Sequence, residues 1–208
     1  MIKGLAAATA GLLAVAMPAG SPARAQAAIA AADVLRAGEA GSLVHGASRF
    51  VFPAALGGIP RRKITFFATD NVAAQYTLRG GGNGDAWFDL FIYPASLPVD
   101  EEARSVEASL VQSLKAVSVV APVPIPAAAR DGKSGWFQGR LNERSMTSGY
   151  ILVQRGKWFI KLRASIPAEA RDDAIARFSR AVEAIAWDWC GEVLQSRSSG
   201  VRSFAVVE

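Results

Sequence analysis

The chain has 208 residues, 51% of them hydrophobic and 20% charged, with a formal net charge of +5. That length and apolar share fit one ordinary domain with a core of its own, and the weak, scattered basicity speaks against nucleic-acid binding. A single histidine excludes the usual zinc ligand sets, and a single cysteine excludes an internal disulfide.

Residues 1–25 read as a secretory signal peptide. Met1-Ile2-Lys3 give a positive start, Leu5 to Met17 an uncharged apolar run, and Ala23-Arg24-Ala25 the small residues that a signal peptidase reads. The run is well short of the ~20 residues that span a bilayer. Cleavage after Ala25 removes Lys3 and Arg24, lowers the net charge to +3 and implies an exported, periplasmic protein. So small a charge gives only weak support to contact with an anionic membrane surface. Residues 26–48 form a lead-in whose Ala-rich part, Gln26 to Ala37, reads as a short helix or a loose tether, ended by Gly38 and Gly41.

A single α+β domain is expected over residues 49–190. Arg49 to Phe52 is a short strand stopped by Pro53, and Gly57 to Pro60 a loop. Lys63 to Ala68 is β-like, with Ile64 and Phe66 on one face, and Asp70-Asn71 suits a tight turn. Val72 to Arg79 alternates, grouping Val72, Ala74, Tyr76 and Leu78. Ala86 to Tyr93 alternates as well, with Phe88, Leu90 and Ile92 on one side. Between them runs Gly80-Gly81-Gly82-Asn83-Gly84-Asp85. A phosphate-binding loop must open a helix. Ala86 to Tyr93 has the period of a strand, so the glycines read as a flexible hairpin loop.

A helix is expected over about Asp100 to Ala116, with Asp100 as N-cap and an apolar stripe through Ala103, Val106, Leu110 and Leu114. Ala121 to Pro126 is a proline-stiffened connector. Three more strands come next: Gly135 to Asn142, Thr147 to Gln154 and Lys157 to Ala164. An Arg155-Gly156 hairpin loop sets Val153 opposite Trp158 and Ile151 opposite Ile160. Pro167 opens a second helix, to about Ala186, with Ile175, Phe178, Val182 and Ile185 as its core stripe. Residues 191–208 are a tail with an edge-strand candidate at Val201 to Val207. The expected fold is therefore α+β: an antiparallel sheet of two three-stranded meanders, each followed by a helix packed on the sheet. A faint echo of letters, Trp87-Phe88 with Glu102-Ala103-Arg104 against Trp158-Phe159 with Glu169-Ala170-Arg171, suggests an internal duplication.

Chemistry is sparse. The sequence holds no Gly-x-Ser-x-Gly elbow, Ser-x-x-Lys pair, His-Glu-x-x-His or Walker sequence. His45 reads as a surface or strand histidine without a triad around it. The paired carboxylates Glu101-Glu102 and Asp172-Asp173 stand at helix starts, where acids are expected anyway. Cys190, among Trp187 and Trp189, reads as a buried small hydrophobe. No catalytic, cofactor-binding or metal-binding residue is assigned. The candidate interaction surface is the outer side of the last strand, Lys157, Phe159, Lys161 and Arg163, together with Arg79 and Trp87 beside the glycine loop. Either a helix covers this side, with cationic stems reaching its edge, or it docks an acidic protein or anionic head group.

The order of elements resembles small exported α+β domains of the PsbP-like kind. The resemblance lies in Phe50-Val51-Phe52-Pro53, in Phe91-Ile92-Tyr93-Pro94 before an acidic-capped helix, in Trp158-Phe159-Ile160-Lys161-Leu162-Arg163, and in a closing helix near Trp187. It covers roughly Arg49 to Trp189. It implies a non-enzymatic, protein-binding sheet flanked by helices, and carries over no functional residue. The function expected is a non-catalytic exported protein that binds a periplasmic protein or envelope component. The alternatives are an envelope-directed hydrolase with an unrecognised site, and a domain that binds a small ligand between sheet and helix.

Overall fold

The computed structural model describes residues 34–79, 85–115, 118–119 and 126–189. Cys190, the signal segment, residues 80–84 of the glycine run and the strand candidate at residues 201–207 lie outside them. The described residues form an α+β arrangement with antiparallel sheets and two helices longer than a turn. β1 (Leu35–Ala37), β2 (Leu43–His45) and β3 (Val51–Phe52) form a small three-stranded sheet. The main sheet contains β4 (Ala55–Leu56), β5 (Ile59–Ala68), β6 (Asn71–Leu78), β7 (Ala86–Pro94), β8 (Ser118–Val119), β9 (Lys133–Leu141), β10 (Arg144–Arg155) and β11 (Trp158–Pro167). Its order is β4-β5-β6-β7-β11-β10-β9-β8, so β7 and β11 meet at its centre. The helices are α1 (Val99–Leu114) and α2 (Arg171–Glu183).

Alternation along the strands sorts side chains onto two faces, each with its own helix. The inner face carries Val72, Ala74 and Tyr76 from β6, Phe88, Leu90 and Ile92 from β7, and Trp158, Ile160 and Leu162 from β11. These pack with Phe178, Ala181 and Val182 of α2, with Phe52 of β3 and with Phe50 just before it. The outer face packs Phe137, Tyr150, Leu152 and Phe159 against Ala103, Val106, Leu110 and Leu114 of α1. Gly149 sits opposite Trp136 on the inner face, where a Cβ would come 2.3 Å from the indole; glycine there lets Trp136 pack edge-on to Phe178 at 5.1 Å.

Several expectations are corrected. Of the lead-in, residues 26–33 lie outside the described residues, and its later part is strand: Leu35–Ala37 pairs with Leu43–His45. β5 begins at Ile59, because Gly57 and Gly58, with φ of 57° and 82°, make a two-residue turn back from β4. The β5–β6 turn is Thr69-Asp70, with Ala68 paired to Asn71. In the last hairpin Arg155 pairs with Trp158 and Val153 with Ile160, so the loop is Gly156-Lys157. Gly156, with φ of 54°, is the residue that supplies the positive φ, and it takes the first loop position. The shift is by two residues, so every side chain keeps its expected face.

α1 begins one residue earlier than expected, after Pro98, and Asp100 lies in its first turn without capping it. A short 3-10 turn over Ala168–Ala170 precedes α2, so Pro167 ends β11 and does not open the helix. Duplication does not survive the topology. A rotation that carried β7 onto its antiparallel neighbour β11, and β6 onto β10, would keep both helices on one face. They lie on opposite faces.

Candidate functional site

His45 is not at the surface. It is fully buried on β2, and both ring nitrogens are engaged. Nε2 donates to the Thr69 carbonyl at 3.2 Å, which leaves Nδ1 to accept from the Ser48 hydroxyl at 2.7 Å. Ser48 Oγ in turn accepts the Phe50 amide at 3.1 Å. Burial pushes the imidazole pKa below its ordinary value. A serine beside a histidine is thus present, but Ser48 is fully buried too, and no carboxylate orients the ring from its far side. Its visible work is to tie the small sheet to the β5–β6 turn.

The residues singled out on the outer side separate into three situations. Phe159 is buried beneath α1. Lys157 is exposed in the hairpin loop, off the strand. Lys161 and Arg163 are half-buried on β11, Trp87 is half-buried on β7, and Arg79 is exposed at the end of β6. The reading of a helix-covered face holds for part of it. α1 packs on β9 and β10 and over Phe159 of β11 and reaches the edge of β7 at Tyr93, while the outer side of β5 and β6 carries no described helix.

On that open half, cross-strand rows build a mixed polar and aromatic surface. One row runs Lys63, Gln75, Asp89, Arg163. Gln75 donates to Asp89 at 3.0 Å, and burial raises the Asp89 pKa against the pull of that bond and of Arg163. Arg163 Nε is a buried donor without a hydrogen-bond partner, and burial lowers the Arg163 pKa. The next row runs Thr65, Ala73, Phe91, Lys161. Lys161 Nζ stands 4.6 Å from the Phe91 ring centre and 4.8 Å from that of Tyr93, two cation–π contacts. Burial lowers its pKa, and Glu102 partly restores it. Tyr93 donates to Glu102 at 2.7 Å, where the edge of α1 closes the patch. Phe67, 54% exposed, stacks on Phe91 at 6.2 Å.

Alternation alone puts Lys63 and Phe67 opposite Ile64 and Phe66, Gln75 opposite Tyr76, and Asp89 opposite Phe88. It does not give the cross-strand register, which shifts in β5 at Arg61/Lys63 and Phe66/Ala68 and decides which of these residues meet.

A second concave feature lies along the same N-terminal half of α1, on its side towards β9. A polar groove of about 320 Å³ runs between α1 and β9, lined by Asp100, Arg104, Glu107, Lys133, Ser134 and Tyr150. Asp100 and Lys133 form an ion pair of 2.6 Å, which holds the Asp100 carboxyl below its usual range. Tyr150, itself fully buried, donates to Glu107 at 2.7 Å. Among the described residues no cluster of three or more His, Cys, Asp or Glu could hold a metal ion. No protein-family model matches the sequence, and neither a curated protein nor a solved structure matches it.

Proposed function

We propose that this is an exported, non-catalytic protein that binds an acidic segment of a periplasmic partner on the open half of its outer sheet face. The carrying observation is the patch itself: Phe67 stacked on Phe91 beside Lys63, Lys161 and Arg163, alongside the part of the outer face that α1 covers. Exposed aromatics next to cations are expensive to leave bare and suit a partner with apolar and acidic groups. Arg163 Nε, buried without a partner, is a donor that a carboxylate would satisfy. The signal-like leader supports export, and the engagement of both His45 nitrogens speaks against a histidine-based hydrolase. The layout similarity to PsbP-like domains, two meanders with flanking helices as a protein scaffold, points the same way.

Lys63 and Phe67 are exposed, so a Lys63→Glu/Phe67→Glu double variant should fold. Cross-linking in a periplasmic extract should capture a partner with the wild type. That capture should be lost with the double variant, retained with Lys157→Glu in the hairpin loop, and weakened as salt rises. Equal capture by wild type and double variant would refute the surface.

A further inference from the structure

The groove beside α1 is separate from the open sheet half and has features that packing alone does not call for. Asp100, Arg104 and Glu107 succeed one another along α1 at spacings of four and three, which brings them onto one side of the helix. Their charges run negative, positive, negative. Lys133 engages Asp100 at 2.6 Å, and Arg104 acts on Asp100 only at longer range, which leaves two charges outside any ion pair among the described residues. One is the Arg104 guanidinium at the exposed rim. The other is the Glu107 carboxylate, whose hydrogen bond comes from the neutral Tyr150 hydroxyl. They stand one helical turn apart, about 5–6 Å between β-carbons, and form no ion pair with each other.

The floor supplies a second observation. Gly135 occupies an interior position of β9, where a glycine weakens a strand and often marks close approach by another group. A Cβ there would lie 3.0 Å from the Tyr150 ring, 3.1 Å from the Phe137 ring and 3.4 Å from Glu107 Oε1. Glycine therefore admits the Tyr150–Glu107 contact and keeps the floor beneath α1 clear. Ala103, the small residue between the charged positions, does the same from the helix side. The resulting 320 Å³ equals the bulk volume of about ten waters, the lower end of small-molecule sites.

We infer that this groove binds a small zwitterion of the α-amino-acid type, its ammonium on Glu107 and its carboxylate on Arg104. An ammonium and a carboxylate on one carbon match one negative and one positive group a helical turn apart. Tyr150, buried and donating, fixes the Glu107 carboxylate before the ligand arrives. Ser134 is the further hydrogen-bonding group of the wall. A purely anionic ligand would leave Glu107 opposed by like charge, and a purely cationic one would leave Arg104 so.

The test titrates the full-length protein with individual free L-amino acids, read by calorimetry and by thermal shift. For any that binds, the matching decarboxylated amine and deaminated acid are titrated in parallel. At least one amino acid should bind at concentrations up to ~10 mM, with both truncated analogues ~10-fold weaker or worse. Glu107→Gln and Arg104→Gln, at half-buried and exposed positions, should each weaken binding by ~10-fold with unfolding midpoints close to wild type. The Lys63→Glu/Phe67→Glu variant should bind the amino acid normally, so the two sites fail or hold independently. Absence of binding by every amino acid, or an amine or acid binding as well as the zwitterion, would overturn the assignment.

Discussion

His45 shows how a lone titratable residue becomes a structural one. Its ring lies edge-on to Trp158 at 5.6 Å, and its nitrogens spend their bonds on Ser48 and on the Thr69 carbonyl. Protonation would place a second donor at Nδ1, facing a hydroxyl that now donates to it, inside a buried site. The folded protein therefore holds the imidazole neutral to lower pH than the unfolded chain does, whose value is near the ordinary 6.5. The stability that His45 contributes is present in full above about that pH. It is lost as pH falls below it, because the unfolded state then binds the extra proton. Urea unfolding at a series of pH values should show this decline between about pH 7 and pH 5, and His45→Gln should flatten it. An equal slope in wild type and variant would place the titration elsewhere.

At the scale of elements, glycine positions decide how the pieces meet. The β4–β5 turn uses Gly57 and Gly58, both at positive φ, but their surroundings differ. A Cβ at Gly57 would stand 2.6 Å from the Ala181 amide nitrogen of α2, whereas nothing lies within 4 Å of one at Gly58. Gly58→Ala should cost only the left-handed backbone penalty, about 1–2 kcal/mol. Gly57→Ala should cost clearly more, because α2 must also move away; the two urea midpoints make the comparison, and equal losses would mean that the turn yields without disturbing the helix.

Such close approaches are not written in a sequence pattern. Alternation made the faces of β6, β7, β10 and β11 legible, down to Phe88, Leu90 and Ile92 together. The spacing of Ala103, Val106, Leu110 and Leu114 made α1 legible. What stayed hidden depended on long-range geometry: which loop residue of the β10–β11 hairpin takes the positive φ, which strands α1 covers, and which cross-strand neighbours the shifts in β5 give Phe67. The groove was illegible for the same reason, since Lys133 and Tyr150 reach Asp100 and Glu107 only after folding.

At the scale of the molecule, the two ends of the described chain are held by the same core. Val34 is buried in the inner cluster, and Trp189 packs edge-on to Phe50 at 5.7 Å. Arg155 secures the later end by donating to the Trp187 carbonyl at 2.5 Å and to both oxygens of Asp131 at 2.7 and 3.1 Å. Arg61 secures the earlier one, its guanidinium bonding the carbonyls of Gly41, Phe52 and Pro53 at 2.8–3.1 Å. Both anchorages belong to the inner side, while α1, its groove and the Phe67–Phe91 patch belong to the outer. The body thus has a back and a front. A tether attached at Val34 or Trp189 would take hold of the back and leave Lys63, Phe67 and the mouth of the groove on the opposite side.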